Sequence, residues 1–189
     1  MSRFMFVVLT ALTTLGGAVP ASAQEIFCTV FGMAQGEFQG DHGGPGGDKA
    51  HQIPVLFLTE EITSPFDTAT GHVTGKRQHK PITIIKELDA SSPQFFKAAV
   101  NNETLRTVTC TFYRGFHSGT GTGGNARQYF QIVLTDATII DYRDTGDGVN
   151  GAAHGDERER ISLTYQKIDI TDLDSGTTAE DRWFEPLAF

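Results

Sequence analysis

The two-residue alternation of apolar and polar side chains constrains the fold of this chain more than any other feature. In the segment TVTCTFY, residues 107–113, Val108, Cys110 and Phe112 share one side of an extended chain and threonines dominate the other. Successive side chains of a β-strand point to opposite faces, so this pattern predicts a strand with one face in a core. Similar apolar segments predict further strands at residues 25–31, 53–58, 81–86, 129–134, 137–141 and 161–170.

One segment has helical periodicity instead: SSPQFFKAAVNN, residues 91–102. Ser91 as the N-cap would form a capping box with Gln94. Ser92 as the N-cap would place Pro93 at the first helical position, which proline favours. The apolar face is predicted from pairs spaced four residues apart: Phe95 with Ala99, and Phe96 with Val100.

Many strands and one short helix predict a mainly β protein. We expect a closed β-barrel of two antiparallel sheets, with the helix as a plug or lid, because closure removes exposed sheet edges. No internal repeat or domain boundary is visible after the N-terminal segment. Residues 24–189 are therefore predicted to form a single domain, with a less certain C-terminal tail at residues 171–189.

The N-terminal 23 residues have the features of a secretory signal peptide. Arg3 precedes an apolar run at residues 4–15, which is too short to span a membrane, and Ala21-Ser22-Ala23 matches the small-residue cleavage rule. We expect cleavage after Ala23 and export of the mature chain to the periplasm or the extracellular space. No other segment is long and apolar enough to predict a membrane span.

The charge of the chain argues against nucleic acid as a partner. The formal net charge is −8, and loss of Arg3 makes the mature chain more acidic still. Neutralisation of phosphates supplies most nucleic-acid affinity, so an acidic protein binds it poorly. The basic cluster Lys76, Arg77, His79 and Lys80 is therefore interpreted as a local contact loop.

The two cysteines allow two interpretations. Cys28 and Cys110 both lie on the apolar faces of predicted strands. If those strands are neighbours or face each other, export into an oxidising compartment favours a disulfide. Two small buried thiols are the alternative.

Two glycine-rich motifs do not fit the sites that they resemble. Gly119, Gly121 and Gly124 match the dinucleotide fingerprint, but a predicted strand follows where a helix is required. The segment DYRDTGDGVNG resembles a calcium loop, yet Arg143 and Thr145 stand at two ligand positions. We interpret both segments as loops.

No catalytic or metal-binding constellation emerges. The six histidines stand apart without the spacing of a zinc site: His42, His51, His72, His79, His117 and His154. Ser118 follows His117, but the nucleophile elbow G-x-S-x-G is absent. Glu60 and Glu61 are adjacent on a predicted strand end, where they point to opposite faces. We therefore expect neither catalysis, nor a metal, nor a cofactor.

One long block resembles a known family. The segment GKRQHKPITIIKELDASSPQFFKAAVNNETLRTVTCTFYR, residues 75–114, closely resembles the haemolysin-coregulated proteins, the Hcp family, which form the tube of type VI secretion systems. Further segments follow in the order typical of the family: GMAQGEF, HQIPVLFL, YFQIVLTDATI and ISLTYQKIDI. The likeness covers residues 26–170.

The resemblance implies a structural role. Six copies would form a ring, and rings would stack into a hollow tube that carries effectors; partners would be the chain itself and, in addition, tip and effector proteins. The protruding loop Ser64–Lys80 would carry the self-association surface, with Ser64, Gly75, Lys76, Arg77, His79 and Lys80 as the suspected assembly residues. Charge complementarity suggests an acidic partner surface on the next copy, with Asp144, Asp147, Asp156 and Glu157 as candidates.

The chain departs from the family pattern in three places. Typical members carry no cleavable signal, the glycine-rich segment GDHGGPGGDK lengthens the first loop, and KIDITD replaces the common KIEWTW-type ending. A second hypothesis therefore stays open, an exported Hcp-like binding or adhesion domain that works without a secretion machine. An exported hydrolase on the same scaffold is the third hypothesis.

Overall fold

The computed structural model describes residues 24–40, 51–115, 126–146 and 157–183. The expected signal peptide, the glycine motif at 119–124, His42, His117, Ser118, His154, Asp147 and Asp156 lie outside these ranges. Within them are twelve strands and one helix. They are β1 Gln24–Gly32, β2 Gly36–Glu37, β3 Ile53–Val55, β4 Phe57–Thr59, β5 Ile62–Thr63, β6 Gln78–His79, β7 Ile82–Glu87, α1 Ser92–Val100, β8 Thr104–Arg114, β9 Arg127–Thr145, β10 Arg158–Thr164, β11 Lys167–Asp172 and β12 Thr178–Arg182.

Ten of these strands form one antiparallel sheet. Its main path runs β2-β1-β8-β9-β10-β7-β4, while β3 pairs with β1, β11 pairs with β9, and β12 pairs with β11. The long strand β9 pairs with β8 along one edge and with β10 and β11 along the other. Strands β5 and β6 pair with each other in a separate ribbon. The prediction of a mainly β protein with one short helix is confirmed.

The sheet that the described strands form does not close, so the predicted closed barrel is wrong. The segment expected to be one strand is divided at Leu56 into β3, which pairs with β1, and β4, which pairs with β7. Each has three residues and pairs at one edge. Pro54 has no backbone N–H to donate, which weakens a ladder on both sides of this segment. A continuous hydrogen-bonded strand therefore does not join β1 to β7.

Two other strand predictions differ in their boundaries. The segments 129–134 and 137–141 form one strand, β9, in which Asp136 adopts a φ of 50° and is skipped by the pairing with β8. This irregularity keeps Leu134 and Ala137 both buried. The segment 161–170 is divided instead, at Tyr165 and Gln166, into β10 and β11.

The core is built from the inward faces of these strands and one side of the helix. In α1, Phe95 and Ala98 are buried, and the Phe95 ring packs edge-on against Phe38 with 5.1 Å between centroids. Phe96 and Val100 are 55% and 62% exposed, so the predicted apolar face is wrong for this pair. The remaining members of the core lie on the strands, except for Tyr165 between β10 and β11: Cys28, Val30, Ile53, Val55, Ile82, Ile84, Leu105, Val108, Cys110, Ile132, Leu134, Ala137, Ile139, Ile161, Leu163, Tyr165 and Ile168.

The helix start is held by a buried charge cluster rather than by the predicted capping box. Ser91 is the N-cap residue but makes no side-chain cap bond. The fully buried ammonium of Lys86 lies 2.8 Å from a carboxylate oxygen of Asp89 and 2.8 Å from one of Glu159. It also donates to the Ser92 hydroxyl at 3.2 Å. These contacts join β7, β10 and the start of α1, and they compensate the burial of a cation.

No helix among the described residues is long and apolar enough to cross a membrane.

Candidate assembly arm

A two-stranded ribbon projects beside the main sheet; we call residues 60–80 the arm. Strand β5 pairs with β6 near its base, and the Lys80 N–H donates to the Glu61 carbonyl at 2.9 Å. Farther out, Phe66 and Val73 form an antiparallel bridge. Every residue from 64 to 78 is exposed. The segment Ser64–Lys80, predicted as the assembly loop, makes up most of the arm.

The tip of the arm is ordered by its own hydrogen bonds. The Asp67 carboxylate accepts from the Ala69 N–H at 2.7 Å and from the Thr70 N–H at 3.3 Å. The Gly71 N–H donates to the Asp67 carbonyl at 2.7 Å, and Gly71 has a φ of +72°, which favours glycine. The tip is therefore a formed turn that presents a defined surface.

That surface is apolar at the bridge and basic beside it. Phe66 is 61% exposed and Val73 is 65% exposed, although both are large hydrophobic residues. Lys76, three residues after Val73, is exposed, and so is Lys80 at the base of the arm. Gly75 lies against Pro65, where an added Cβ would come within 3.1 Å of the proline ring. Clustered apolar exposure on a polar loop is typical of an interaction surface.

Two of the predicted assembly residues contact the C-terminal strand of their own chain. The Arg77 guanidinium donates from Nε and Nη2 to the two carboxylate oxygens of Asp181 in β12. His79 is buried, and its Nε2 lies 3.1 Å from Asp181 Oδ2. The hydrogen bond from Arg77 holds the pKa of Asp181 below its usual value against the effect of burial.

Aromatic rings complete this contact. The second ring nitrogen of His79 lies 2.9 Å from the Tyr165 hydroxyl. Trp183 stacks on the His79 ring with 5.7 Å between centroids and 28° between planes, and it meets Tyr165 edge-on. Burial, followed by the charges of Glu60 and Asp181, raises the pKa of Tyr165 to about 12. The base of the arm is thus packed against the end of the described chain.

Sequence reasoning did not find this cluster. It treated His79 as an isolated loop residue, and it assigned acidic partners for the basic loop to another copy. Asp144 and Glu157, two of those partners, are exposed and outside the arm. One feature of the sequence points to this cluster. Trp183, the single tryptophan of the chain, follows an acidic and a basic residue in the tail.

A disulfide joins Cys28 to Cys110. The two residues are direct cross-strand partners on β1 and β8, with their Cα atoms 4.0 Å apart. Residues directly opposite each other on antiparallel strands bring their side chains close together. Both residues are buried in the core. Across the described ranges, no three histidine, cysteine or carboxylate side chains converge into a group that could hold a metal.

Comparison with known proteins identifies the family. The family model described as "Type VI secretion system effector, Hcp" matches residues 32–171. The "Major exported protein" of Pseudomonas aeruginosa is 34% identical over 160 residues, which cover 82% of this chain and 90% of that protein. This chain belongs to the Hcp family of type VI secretion tube proteins. The resemblance inferred from residues 75–114 is confirmed.

Solved structures of the family share the fold. "Secreted protein Hcp3 from Pseudomonas aeruginosa" has a TM-score of 0.65 at 26% identity, covering 86% of this chain and all of that one. A structure described as "Crystal structure of Hcp protein" has a TM-score of 0.72 at 24% identity, covering 86% of this chain and 99% of that one. The family-model match ends at residue 171, before Asp181 and Trp183.

Proposed function

We propose that this Hcp chain assembles with copies of itself into hexameric rings, which stack into a tube that carries effector proteins. The observation that supports this role is the arm, an ordered projection with an apolar bridge at its exposed end. The role is structural, with no reaction catalysed and no cofactor held. Secretion-system tip and effector proteins are the further partners.

The arm would bind the neighbouring copy mainly through Phe66 and Val73. Burial of a large apolar side chain contributes about 1.5–3 kcal/mol, so the pair would contribute about 3–6 kcal/mol per contact. Lys76 and Lys80 would add steering toward acidic surfaces. The sequence predicts that basic residues dominate this contact. Because Arg77 already pairs with Asp181 within the chain, we assign the larger contribution to the apolar pair.

Removal of the apolar pair tests the role of the arm. We expect the mature protein to form rings in negative-stain electron microscopy and to elute as an oligomer with its mass measured by light scattering. The double variant Phe66→Ser, Val73→Ser should be monomeric with an unchanged far-UV circular dichroism spectrum. Rings that persist in this variant at wild-type concentration would exclude the arm tip as an assembly element.

A matched control lies on the helix. Phe96 and Val100 are also one phenylalanine and one valine, 55% and 62% exposed. The double variant Phe96→Ser, Val100→Ser removes the same chemistry elsewhere and should still form rings. Loss of rings in both double variants would mean that the effect is not specific to the arm.

We also propose that the chain is exported after cleavage between Ala23 and Gln24. The relative from Pseudomonas aeruginosa is named as an exported protein, which supports the destination. N-terminal sequencing of the native protein should find Gln24. An intact Met1 in cytosolic protein would contradict the proposal.

A signal peptide also supports the second candidate function, an exported Hcp-like binding or adhesion domain outside any secretion machine. A disulfide is compatible with folding after export. This candidate predicts that the mature chain is monomeric at every concentration, so the same light-scattering measurement separates the two.

A further inference from the structure

The arm has few contacts of its own to hold its direction. Within the described part of the chain, its strands β5 and β6 pair with each other and with no strand of the main sheet. An isolated two-stranded ribbon is marginally stable in water. Without further contacts, such a ribbon would pivot about the chain segments that enter and leave it.

The contacts at its base come from the C-terminal strand. We define the arm latch as Arg77 and His79 of the arm, Asp181 of β12, Trp183 just after that strand, and Tyr165 between β10 and β11. One carboxylate, Asp181, accepts from both arm side chains. The ring of Trp183 stacks on the imidazole of His79.

The strand that carries this carboxylate is itself an edge strand. Strand β12 pairs with β11, and four of its five residues are exposed. Asp181 is the exception, because it turns toward the arm. The segment is therefore attached along one edge by backbone bonds and at its end by the side chains of the arm latch.

We infer that Asp181 and Trp183 are positioning residues that fix the direction of the arm. Their functional consequence rests on the proposed assembly role. An arm held in its binding orientation avoids the cost of ordering on contact. The apparent affinity of a loosened arm falls in proportion to the fraction of time that it still spends in that orientation. The C-terminal strand would therefore influence assembly through the direction that it gives to the arm.

The first measurement concerns the arm alone, at a concentration below ring formation. Hydrogen exchange of the arm peptide, followed by mass spectrometry, reports on the bonds from Thr74 and Lys80. Asp181→Ala should accelerate their exchange about tenfold, since charged hydrogen bonds at the base are lost. The exchange of β8 should stay unchanged, which distinguishes loosening from global unfolding.

The matched control is the neighbouring residue on the same strand. Glu180 pairs with Lys167 on the other side of β12, so Glu180→Ala removes a carboxylate but leaves the latch intact. It should not change arm exchange. Asp181→Asn keeps an acceptor oxygen and should have a smaller effect than alanine. Arg77→Ala, at an exposed position, provides a second latch variant if Asp181→Ala fails to fold.

Trp183 provides an internal probe. As the single tryptophan, it should show a red-shifted emission and stronger iodide quenching in Asp181→Ala but not in Glu180→Ala. Arm exchange and tryptophan emission that match the wild type in both latch variants would overturn the inference.

Assembly is measured separately as the protein concentration at which half of the chains form rings. We expect Asp181→Ala to raise this concentration, and Asp181→Glu to restore part of the loss. If the arm of Asp181→Ala exchanges faster but rings form at the wild-type concentration, the latch does not influence assembly. The same result would also count against the proposed role of the arm. A further outcome is that the arm still exchanges slowly in Asp181→Ala while the double variant Phe66→Ser, Val73→Ser loses its rings. That pair of results would overturn the latch and leave the proposed role of the arm in place.

Discussion

Reduction of the Cys28–Cys110 bond should lower the stability of the domain by several kcal/mol. The bond spans 82 residues. The chain-entropy model gives about 4.5 kcal/mol for a loop of this length, as an effect on the unfolded chain. Both sulfurs stay buried as thiols after reduction, so no cavity or unsatisfied charge adds to the difference.

Urea unfolding with and without reductant measures this difference. With a slope of about 2 kcal/mol per molar urea, the midpoint should fall by about 2 M on reduction. The slope itself should increase, because the unfolded chain without the bond exposes more surface. The double variant Cys28→Ala, Cys110→Ala should unfold near the reduced wild type and should not respond to reductant.

Two results would refute the reasoning. Mass spectrometry of the native exported protein under non-reducing conditions could find two free thiols, which would remove the bond itself. A midpoint that moves by less than about 0.5 M on complete reduction would show that closing this loop does not restrict the unfolded chain as the model requires.

Three further predictions concern two buried charged residues, Lys86 and Glu103, and the close approach of the chain at Gly32. Lys86→Met should destabilise the domain by about 3–5 kcal/mol in urea unfolding, because it leaves the carboxylates of Asp89 and Glu159 buried without their cation; an unchanged midpoint would contradict the cluster. Burial raises the pKa of Glu103, but hydrogen bonds from Gln35 and Ala34 outweigh it and hold the pKa below its usual value. Glu103 therefore contributes stability that is fully present above the usual pKa of a glutamate and is lost as the pH falls through its lowered folded pKa. Glu103→Gln should flatten the dependence of stability on pH over that acid range, and equal slopes for variant and wild type would contradict this. Gly32→Ala should destabilise, since its Cβ would lie 2.5 Å from a Glu103 oxygen, and a midpoint equal to wild type would show that Glu103 moves freely.

The sequence determined the elements whose signal is local. Alternation around Val108 and Cys110 predicted a strand with one buried face, because the two-residue period is a property of the extended chain itself. The helix after Ser91 followed from proline placement and apolar spacing in the same way. The family likeness of residues 75–114 was also readable directly, since it depends on residue order alone.

Tertiary structure decided which elements meet. Cys28 lies opposite Cys110 because β1 pairs with β8, and no pattern within either strand selects that neighbour. Division of the chain at Leu56 left the sheet open, although the apolar run from residue 53 to residue 58 looks like one strand.

The charged residues show the same limit most clearly. Lys86 is fully buried because Glu159, 73 positions later in the chain, supplies its counter-charge. Arg77 and His79 lie 104 and 102 residues from Asp181, the carboxylate that they share. A local pattern specifies which face of a segment is buried. The partner of a charged residue depends instead on which distant segment packs beside it, and that is fixed only when the whole sheet has formed.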